Sequence, residues 1–411
     1  MSAPTIEAEP SEVGMDPDRL ARIDKHFRRY VDDGRLPGWS ILVARDDKVV
    51  HSSTYGLRDV EQGLPVTDDT IWRIYSMTKP ITTVAALMLW ERGLLELTDP
   101  VGRYVPSFAE QRVYRGGSAQ NPGTDAAVGP VRLHHLLTHT AGLTYGFHHA
   151  HPVDEMYRSK GYEFGPPAGV DLATAAQTWG EFPLLFQPGT EWNYSVATDV
   201  LGRVIEVVSG QTLDEFFRTE IFEPLGMRDT TFRIDPDSDA GARLATLYSA
   251  RAGGLIENKA LGRSITGDPV FLSGGGGLAS TAGDFLRFAR MLARGGELDG
   301  VRLLSPRTVA FARLNHLPGG ADLDTVGRPI FSESAFGGVG FGLGFSVVLD
   351  QARTGQLANP GTYAWGGLAS TAFWIDPVDD VIATFYTQLV PSSTYPIRSQ
   401  LQTLVGQAVI S

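Results

Sequence analysis

The sequence predicts an α/β fold in which strands come from both ends of the chain and helices from its middle. Strand patterns occupy residues 38–56 and recur after residue 337, whereas residues 101–270 mix helical patterns with long loops rich in Gly, Pro and His. No change in composition resembles a linker, so we expect one two-lobed unit. Of the 411 residues, 42% are hydrophobic and 20% are charged, a balance typical of a globular chain with a substantial core.

The first predicted elements are a helix and a β-hairpin. A helix is predicted over residues 15–34, with Gly34 at its end. Four apolar side chains share one face of this helix: Leu20, Ile23, Phe27 and Val31. Residues 38–56 follow as two strands, joined by a tight polar turn at Asp46 and Asp47.

The segment RIYSMTKPITTVAALMLWERGLLELTDP, residues 73–100, predicts a helix over residues 76–92 that is apolar almost all round and therefore buried. Ser76 and Lys79 are three residues apart at its start, so their side chains can meet on one face. Burial disfavours a charged lysine and makes the amine a usable base, while a helix N-terminus stabilises an oxyanion. The spacing alone does not distinguish a nucleophile with its base from a serine that caps the helix and a lysine on the surface. Pro80 disfavours a helical conformation at Lys79, which leaves open a later start for the helix.

The remaining chain gives several further elements and two long loops. The loops are RGGSAQNPGTDAAVGP (115–130) and GFHHAHP (146–152), and loops of this kind usually line a site or are mobile. Two helices are predicted in residues 197–227 around Gly210, and another follows the glycine run 274–277. Each of three segments near the C-terminus is predicted to form one strand, before a final helix: residues 337–350, 361–376 and 379–388.

Composition excludes several classes of function. The net charge of −12 makes a long polyanion a poor partner, so we expect no nucleic-acid binding. The absence of cysteine excludes disulfides, thiol catalysis and cysteine-based zinc sites. No apolar run approaches the roughly 20 residues that span a bilayer, so we expect no membrane insertion. The acidic leader MSAPTIEAEPSEVGMDPDRL lacks the features of a secretory signal, and we expect a soluble cytoplasmic protein.

Five segments, in chain order, carry a resemblance to a known family. The motif Ser76-Met77-Thr78-Lys79-Pro80 resembles the nucleophile motif of the class C β-lactamase-like serine hydrolases, most closely that of the family VIII carboxylesterases. Four later segments resemble other parts of this superfamily: HHLLTHTAGLTYG (134–146), FQPGTEWNYSVATDVLGRVIEVVSG (186–210), SGGGGLASTAGDFLRFARML (273–292) and YAWGGLAS (363–370).

This resemblance implies a β-lactamase/penicillin-binding-protein-like fold of the α+β type. Such a fold has an antiparallel sheet flanked by helices, together with a mostly helical subdomain. The implied α/β lobe covers about residues 15–75 and 275–411, and the mostly helical lobe covers about residues 76–274.

The resemblance also implies a role for each matching site residue. Ser76 would be the acylated nucleophile, and Lys79 and Tyr194 would form a coupled base pair in which either group could take the proton. The backbone N–H groups of Ser76 and Leu368 would form the oxyanion hole. The substrate would lie against five further residues: Tyr75, Val196, Trp365, Gly366 and Gly367.

Two departures from the family pattern bear on the substrate. Valine at 196 replaces the asparagine that holds a lactam side-chain amide, and Trp365-Gly366-Gly367 replaces the Lys-Thr-Gly that attracts a lactam carboxylate. Trp365 offers an indole N–H and an apolar face instead. We therefore expect a serine carboxylesterase for neutral, short-chain esters that needs no cofactor or metal and binds neither nucleic acid nor a membrane. β-Lactam or D-amino-peptide hydrolysis, acyl transfer and non-catalytic ligand binding remain alternatives, and the oligomeric state stays open.

Other features of the sequence have simpler interpretations. The histidine loop (His148, His149 and His151) lacks helical metal-ligand spacing, and a metal site there is the disfavoured reading. His139 is expected to be a structural, hydrogen-bonded residue. The glycine run 274–277 is not followed by Lys-Ser/Thr, so it does not predict a phosphate loop. Outside the resemblance, Tyr194 and Trp365 could simply be packing aromatics.

Overall fold

The protein is described by a computed structural model over residues 5–262, 265–266, 269–328 and 336–411. Its strands, in chain order, are β1 (Gly38–Arg45), β2 (Lys48–Asp59), β3 (Leu64–Pro65), β4 (Ile71–Arg73), β5 (Arg112–Gly117), β6 (Pro122–Ala126), β7 (Tyr248–Arg251), β8 (Gly254–Glu257), β9 (Ala279–Thr281), β10 (Glu297–Leu298), β11 (Val301–Arg302), β12 (Val339–Phe341), β13 (Ser346–Val348), β14 (Tyr363–Gly366), β15 (Ala372–Asp376), β16 (Val381–Tyr386) and β17 (Leu389–Val390).

The helices lie mainly between β4 and β12. In chain order they are α1 (Pro17–Asp32), α2 (Thr78–Glu91), α3 (Leu133–Leu137), α4 (Pro152–Ser159), α5 (Leu172–Glu181), α6 (Ala197–Ser209), α7 (Leu213–Phe217), α8 (Glu223–Leu225), α9 (Asp239–Arg243), α10 (Lys259–Gly262), α11 (Ala282–Ala293), α12 (Pro306–Ala312), α13 (Leu323–Val326), α14 (Gln351–Thr354) and α15 (Ile397–Gly406). Within the described ranges, no helix has the length and apolar character needed to cross a membrane.

An eight-stranded antiparallel sheet joins the two ends of the chain. Its order is β12-β13-β14-β15-β16-β1-β2-β3, so strands from residues 38–65 and 339–386 share one sheet. The junction is the antiparallel pairing of β1 with β16, which runs from Ser40–Tyr386 to Arg45–Val381. Together with the helices that cover it, this sheet confirms the predicted α+β class.

Helices cover both faces of this sheet, because β1 is apolar on both sides. All eight residues of β1 are buried. Since successive side chains of a strand point to opposite faces, Trp39, Ile41 and Val43 lie in the core with α1 and α15. Leu42 and Ala44 lie instead in the larger core that contains α2 and α11.

The N-terminal elements follow the sequence prediction closely. In α1, Leu20, Ile23 and Phe27 are buried as expected, whereas Val31 is only half-buried and Tyr30 takes the fourth core position. The hairpin turn between β1 and β2 has positive φ at both Asp46 (49°) and Asp47 (59°). A two-residue turn of this kind matches the twist of the flanking strands.

The secondary structure of three segments was predicted wrongly. Residues 337–350 and 361–376 were each expected to form one strand, but each contains two: β12 and β13, and β14 and β15. Glycine-containing turns interrupt the apolar pattern at both places. The loop predicted over 115–130 contains the end of β5 and all of β6, which pair as a polar hairpin. Its residues show no apolar alternation because the hairpin is largely exposed.

The helix predicted from residue 76 begins two residues later. Every residue of α2 from Thr78 to Leu89 is buried, and Tyr75–Met77 form a separate 3-10 turn just before it. Pro80 therefore lies in the first turn of α2, where a backbone N–H has no intrahelical acceptor to lose.

Candidate active site

Ser76 lies in the short 3-10 turn between β4 and α2. Pairing of β4 with β9, and a hydrogen bond from Ile74 N to Leu278 O of 3.0 Å, fix the chain just before this turn. The preceding residue, Tyr75, has a φ of +41°, which side-chain-bearing residues rarely adopt. Such strained backbone is concentrated at functional sites, and here it sets the direction of Ser76.

The Ser76 hydroxyl accepts hydrogen bonds from two polar side chains. Tyr194 Oη donates to Ser76 Oγ at 2.6 Å, and Lys79 Nζ donates to the same atom at 3.3 Å. Lys79 also donates to Tyr145 Oη at 3.2 Å and to the carbonyl oxygen of Gly275 at 2.7 Å. The lysine is 1% exposed, so these three acceptors take the place of water around its ammonium group.

Tyr194 is packed among other aromatic side chains. The ring centroid lies 5.0 Å from that of His139 and 5.5 Å from that of Trp365. Lys79 Nζ lies 4.5 Å from the Tyr194 ring centroid, within cation–π range. The three residues predicted to carry the chemistry are therefore in mutual contact.

His139 supports the segment that carries Tyr194. It is 1% exposed, its Nδ1 lies 3.2 Å from Ser195 Oγ, and its carbonyl oxygen accepts a hydrogen bond of 3.0 Å from Asn193 N. Burial holds the pKa of His139 well below its usual value, and the charge of Lys79 lowers it further. A neutral imidazole at this place adds no second cation beside Lys79.

Asp199 and Gly275 belong to the site, and sequence reasoning missed both. Asp199, on α6, is 3% exposed and accepts hydrogen bonds from Ser273 Oγ (2.5 Å) and Gly275 N (3.0 Å). Burial raises the pKa of the Asp199 carboxyl above its usual value, although the charge of Lys79 lowers it. Gly275 thus links Asp199, through its N–H, to Lys79, through its carbonyl oxygen.

Close packing explains the glycine at position 275. A Cβ atom there would lie 2.5 Å from Asp199 Oδ2, too close for any side chain. The glycine run 274–277 therefore lets the backbone approach α6 and Lys79. The glycine run in the sequence did not indicate these contacts, because the atoms that make them are backbone N–H and C=O groups.

Tyr145 is a second tyrosine at the site. It lies in the segment 134–146 that carried the resemblance, but no motif or spacing there distinguishes it from a packing tyrosine. Burial raises the pKa of the Tyr145 phenol well above its usual value, and nearby Asp199 and Tyr194 raise it further. Tyr145 therefore stays a neutral phenol and acts as an acceptor for Lys79.

Ser76 and Tyr194 open onto a cavity of about 410 Å³. The predicted substrate-contacting residues all line it, as does the predicted oxyanion donor: Tyr75, Val196, Trp365, Gly366, Gly367 and Leu368. Aromatic side chains form much of the remaining wall: Tyr145, Phe147, Phe164, Trp179, Phe232 and Phe271. The rings of Tyr145, Phe147 and Phe164 stack in sequence, with centroids 4.7 and 5.3 Å apart.

Trp365 is an aromatic residue of the cavity wall. Its ring is half-buried against Tyr194 and Phe341, with the Phe341 centroid 5.3 Å away. The indole Nε1 is buried and meets no hydrogen-bond partner among the residues that the structure describes. Trp365 thus lines the site beside Tyr194, and the role of its indole N–H toward a substrate stays a prediction.

The turn that carries Leu368 touches the chain just before Ser76. Gly367 N donates to Thr371 O at 2.8 Å, which closes the turn. A Cβ atom on Gly367 would lie 2.4 Å from Ile74 O, so only glycine allows this approach. The assignment of Leu368 N–H to an oxyanion hole stays a prediction.

The histidine loop has local partners. His149 Nε2 lies 3.2 Å from Glu163 Oε1, and His151 Nδ1 accepts from Val153 N at 3.2 Å, which caps α4. Within the described ranges, no group of three or more His, Cys, Asp or Glu side chains has an arrangement that could hold a metal ion.

Comparisons with known proteins agree on one family. A family model described as Beta-lactamase matches residues 23–407. Protein Rv1367c of Mycobacterium tuberculosis is 36% identical over 369 residues, 89% of each chain. Esterase EstB of Burkholderia gladioli is 31% identical over 385 residues, 90% of each chain. The structure of EstCE1, a hydrolase with promiscuous acyltransferase activity, superposes with a TM-score of 0.79 at 27% identity and covers 96% of this chain and 99% of its own.

We expect Gly275→Ala to lower stability by about 1–3 kcal/mol, because the new methyl group overlaps the buried Asp199 carboxylate. Gly276→Ala is the matched control, since a Cβ atom there would meet its nearest neighbour at 3.7 Å, an ordinary contact. Urea or thermal unfolding of both variants measures the difference. Equal stabilities of the two variants would contradict the close packing described here.

Proposed function

Because the chain belongs to the Beta-lactamase family, we propose that it is a serine hydrolase that cleaves carboxylic esters through a covalent acyl-enzyme on Ser76. One observation carries the proposal: Ser76 Oγ receives hydrogen bonds from both Tyr194 and Lys79 at the wall of a largely aromatic cavity. A non-catalytic binding protein has no need for all three groups in this arrangement.

In the proposed acylation step, Tyr194 takes the Ser76 proton. Tyr194 Oη, at 2.6 Å from Ser76 Oγ, is the nearer group. Lys79 engages three acceptors, which fits an ammonium ion whose N–H bonds are all used. The reactive form pairs this ammonium with a Tyr194 phenolate, and the serine then donates across the same short separation. The lysine charge stabilises the phenolate electrostatically.

The proton and the bonds balance over one catalytic cycle. Ser76 Oγ adds to the ester carbonyl carbon, and the carbonyl electron pair moves to oxygen. Collapse of this intermediate breaks the bond to the alcohol, which leaves with the proton held by Tyr194. Water then adds to the acyl-enzyme, giving its proton to Tyr194, and Ser76 regains that proton as the carboxylic acid leaves.

The cavity supports a neutral, partly apolar ester as the substrate. Val196, 3% exposed, provides no amide, and Trp365 provides ring carbon. Among the described cavity-lining residues Arg398 is the one cation, and its guanidinium donates to two backbone carbonyl groups. EstB, whose name is that of an esterase, is a relative over most of both chains.

Acyl transfer to an alcohol is a second candidate function. An apolar, aromatic cavity favours an organic acceptor over water at the acyl-enzyme, and EstCE1 combines hydrolase and acyltransferase activity. Quantifying the new ester formed when an alcohol is added to the ester assay distinguishes transfer from hydrolysis.

We expect an active-site-directed phosphonate to modify one residue of the intact protein, Ser76, because its hydroxyl alone has the Tyr194–Lys79 pair as a base. Intact mass and peptide mapping locate the adduct. Ser76→Ala should lose both labelling and ester hydrolysis. Undiminished labelling of Ser76→Ala, or an adduct on another serine, would refute the assignment.

We expect Tyr194→Phe to lower kcat by about 10²–10⁴-fold, the usual contribution of a general base, while the phenyl ring keeps its packing. Tyr145→Phe is the matched control. This variant removes the hydroxyl that contacts Lys79 but does not contact Ser76, so its kcat should fall by about tenfold or less.

Lys79→Ala should lower kcat as much as Tyr194→Phe does, and the double variant should be little worse than either single variant, because the groups act as a unit. Near-normal turnover by Tyr194→Phe would mean that Tyr194 only packs.

We expect kcat/KM for a short-chain p-nitrophenyl ester to exceed that for a chromogenic cephalosporin by several orders of magnitude. The site lacks one charged contact and one hydrogen bond that a lactam needs, and each tenfold factor corresponds to about 1.4 kcal/mol. Parallel steady-state assays, with Ser76→Ala as the blank, measure the ratio. Comparable kcat/KM values for the two substrates would contradict the preference for esters and support β-lactam hydrolysis equally.

A further inference from the structure

Arg398 reaches from the start of α15 to the turn that carries Leu368. It is the second residue of this helix and is half-buried. Its Nη2 donates to the carbonyl oxygens of Gly367 at 3.1 Å and of Thr371 at 3.2 Å. The guanidinium lies directly against Gly366, where a Cβ atom would be 2.3 Å from Arg398 Cζ. Glycine at 366 therefore leaves the space that the guanidinium fills.

The geometry of one peptide connects Arg398 with the predicted oxyanion donor. The Gly367 carbonyl and the Leu368 N–H belong to the same planar trans peptide, so they point in opposite directions. Because Arg398 holds the carbonyl oxygen, the Leu368 N–H points away from the guanidinium. Leu368 lines the cavity that contains Ser76. Within the described part of the chain, its backbone N–H donates no hydrogen bond to another backbone group.

We infer that Arg398 is a positioning residue that fixes the 367–368 peptide so that the Leu368 N–H meets the oxyanion formed at Ser76. This inference rests on the proposed function. The turn is held at both ends, since Gly367 N donates to Thr371 O while Arg398 donates to the carbonyls of both residues. A cation at the carbonyl end also polarises the peptide, which strengthens its N–H as a donor.

Arg398 takes no part in the bond changes. When Ser76 Oγ adds to the ester carbon, the carbonyl electron pair moves to oxygen, and the Leu368 N–H stabilises that charge. The charge returns to a carbonyl when the alcohol leaves. The contribution of Arg398 is therefore confined to the transition state and the tetrahedral intermediate, so its loss should lower kcat and leave KM nearly unchanged.

The test compares Arg398→Met, Arg398→Lys and Arg398→Ala with the wild type. For a p-nitrophenyl butyrate substrate we expect Arg398→Met to lower kcat by about 10–100-fold with less than about a twofold change in KM, since loss of a whole oxyanion donor costs about 10²–10³. The Ki of an alkyl trifluoromethyl ketone, whose adduct with Ser76 carries an oxyanion, should rise by the same factor. Arg398→Lys should lose less, and added guanidinium should restore part of the activity of Arg398→Ala.

A control on the same helix separates positioning from general destabilisation. Gln400 Oε1 accepts a hydrogen bond of 2.9 Å from Tyr30 Oη and lies 2.8 Å from His26 Nε2. Gln400→Ala therefore disturbs the contact of α15 with α1 without touching the 367–371 turn. We expect Gln400→Ala to change the thermal midpoint but not kcat or the ketone Ki. If Arg398→Met fails to fold, Arg398→Lys and its ketone Ki carry the comparison.

Three outcomes would overturn the inference. A raised KM with unchanged kcat would make Arg398 a substrate-binding residue. An unchanged ketone Ki in Arg398→Met would show that the oxyanion is held without it. A wild type that does not hydrolyse esters, or a Ser76→Ala variant that does, would overturn the proposed function and the inference together, and the wild-type and Ser76→Ala assays alone identify that case.

Discussion

The ammonium group of Lys79 is a charge that the fold must bury and satisfy. An uncompensated buried charge costs several kcal/mol, so each of its three hydrogen bonds needs an acceptor in place. The acceptors come from separate parts of the chain: Ser76 before α2, Tyr145 after α3 and Gly275 before β9. Satisfying Lys79 therefore brings together the serine, the glycine run and the aromatic wall of the cavity. Tyr194, whose ring the ammonium faces, joins them from a fourth segment.

Features that depend on residues close together in the sequence could be predicted, whereas contacts between distant segments could not. The Ser76–Lys79 contact follows from helical spacing, and α1 and the β1–β2 hairpin follow from apolar periodicity and turn residues. The β-lactamase-like α+β fold came from five ordered motifs, and the match of 96% of the chain to EstCE1 confirms it. The hairpins within 337–376 were missed because short strands separated by glycine turns give no clear alternation. Gly275 was missed because its contacts use backbone N–H and C=O groups, and Asp199 was missed because its partners, Ser273 and Gly275, lie 74 and 76 residues away in the chain.

Glycine at two positions allows backbone groups to make contacts at the site that side chains make elsewhere. At Gly275 the N–H binds Asp199 while the carbonyl binds Lys79, and at Gly367 the backbone presses against Ile74 near the nucleophile. Peptide groups of this kind are placed by the fold itself and need no rotamer to be frozen. That makes them well suited to hold charge in a site where geometry must not relax during reaction.

The pairing of β1 with β16 has a consequence for how the protein is made. The two strands are separated by roughly 340 residues, so at about 5–20 residues per second the ribosome needs on the order of 20–70 s to deliver the partner of β1. During that interval the nascent chain carries an apolar strand with one unsatisfied edge, the kind of surface that pairs with other chains. Holding β1 in the β1–β2 hairpin shields only its other edge. The edge of β1 is therefore open for most of the time that the ribosome needs to make the chain, and it closes only when β16 emerges.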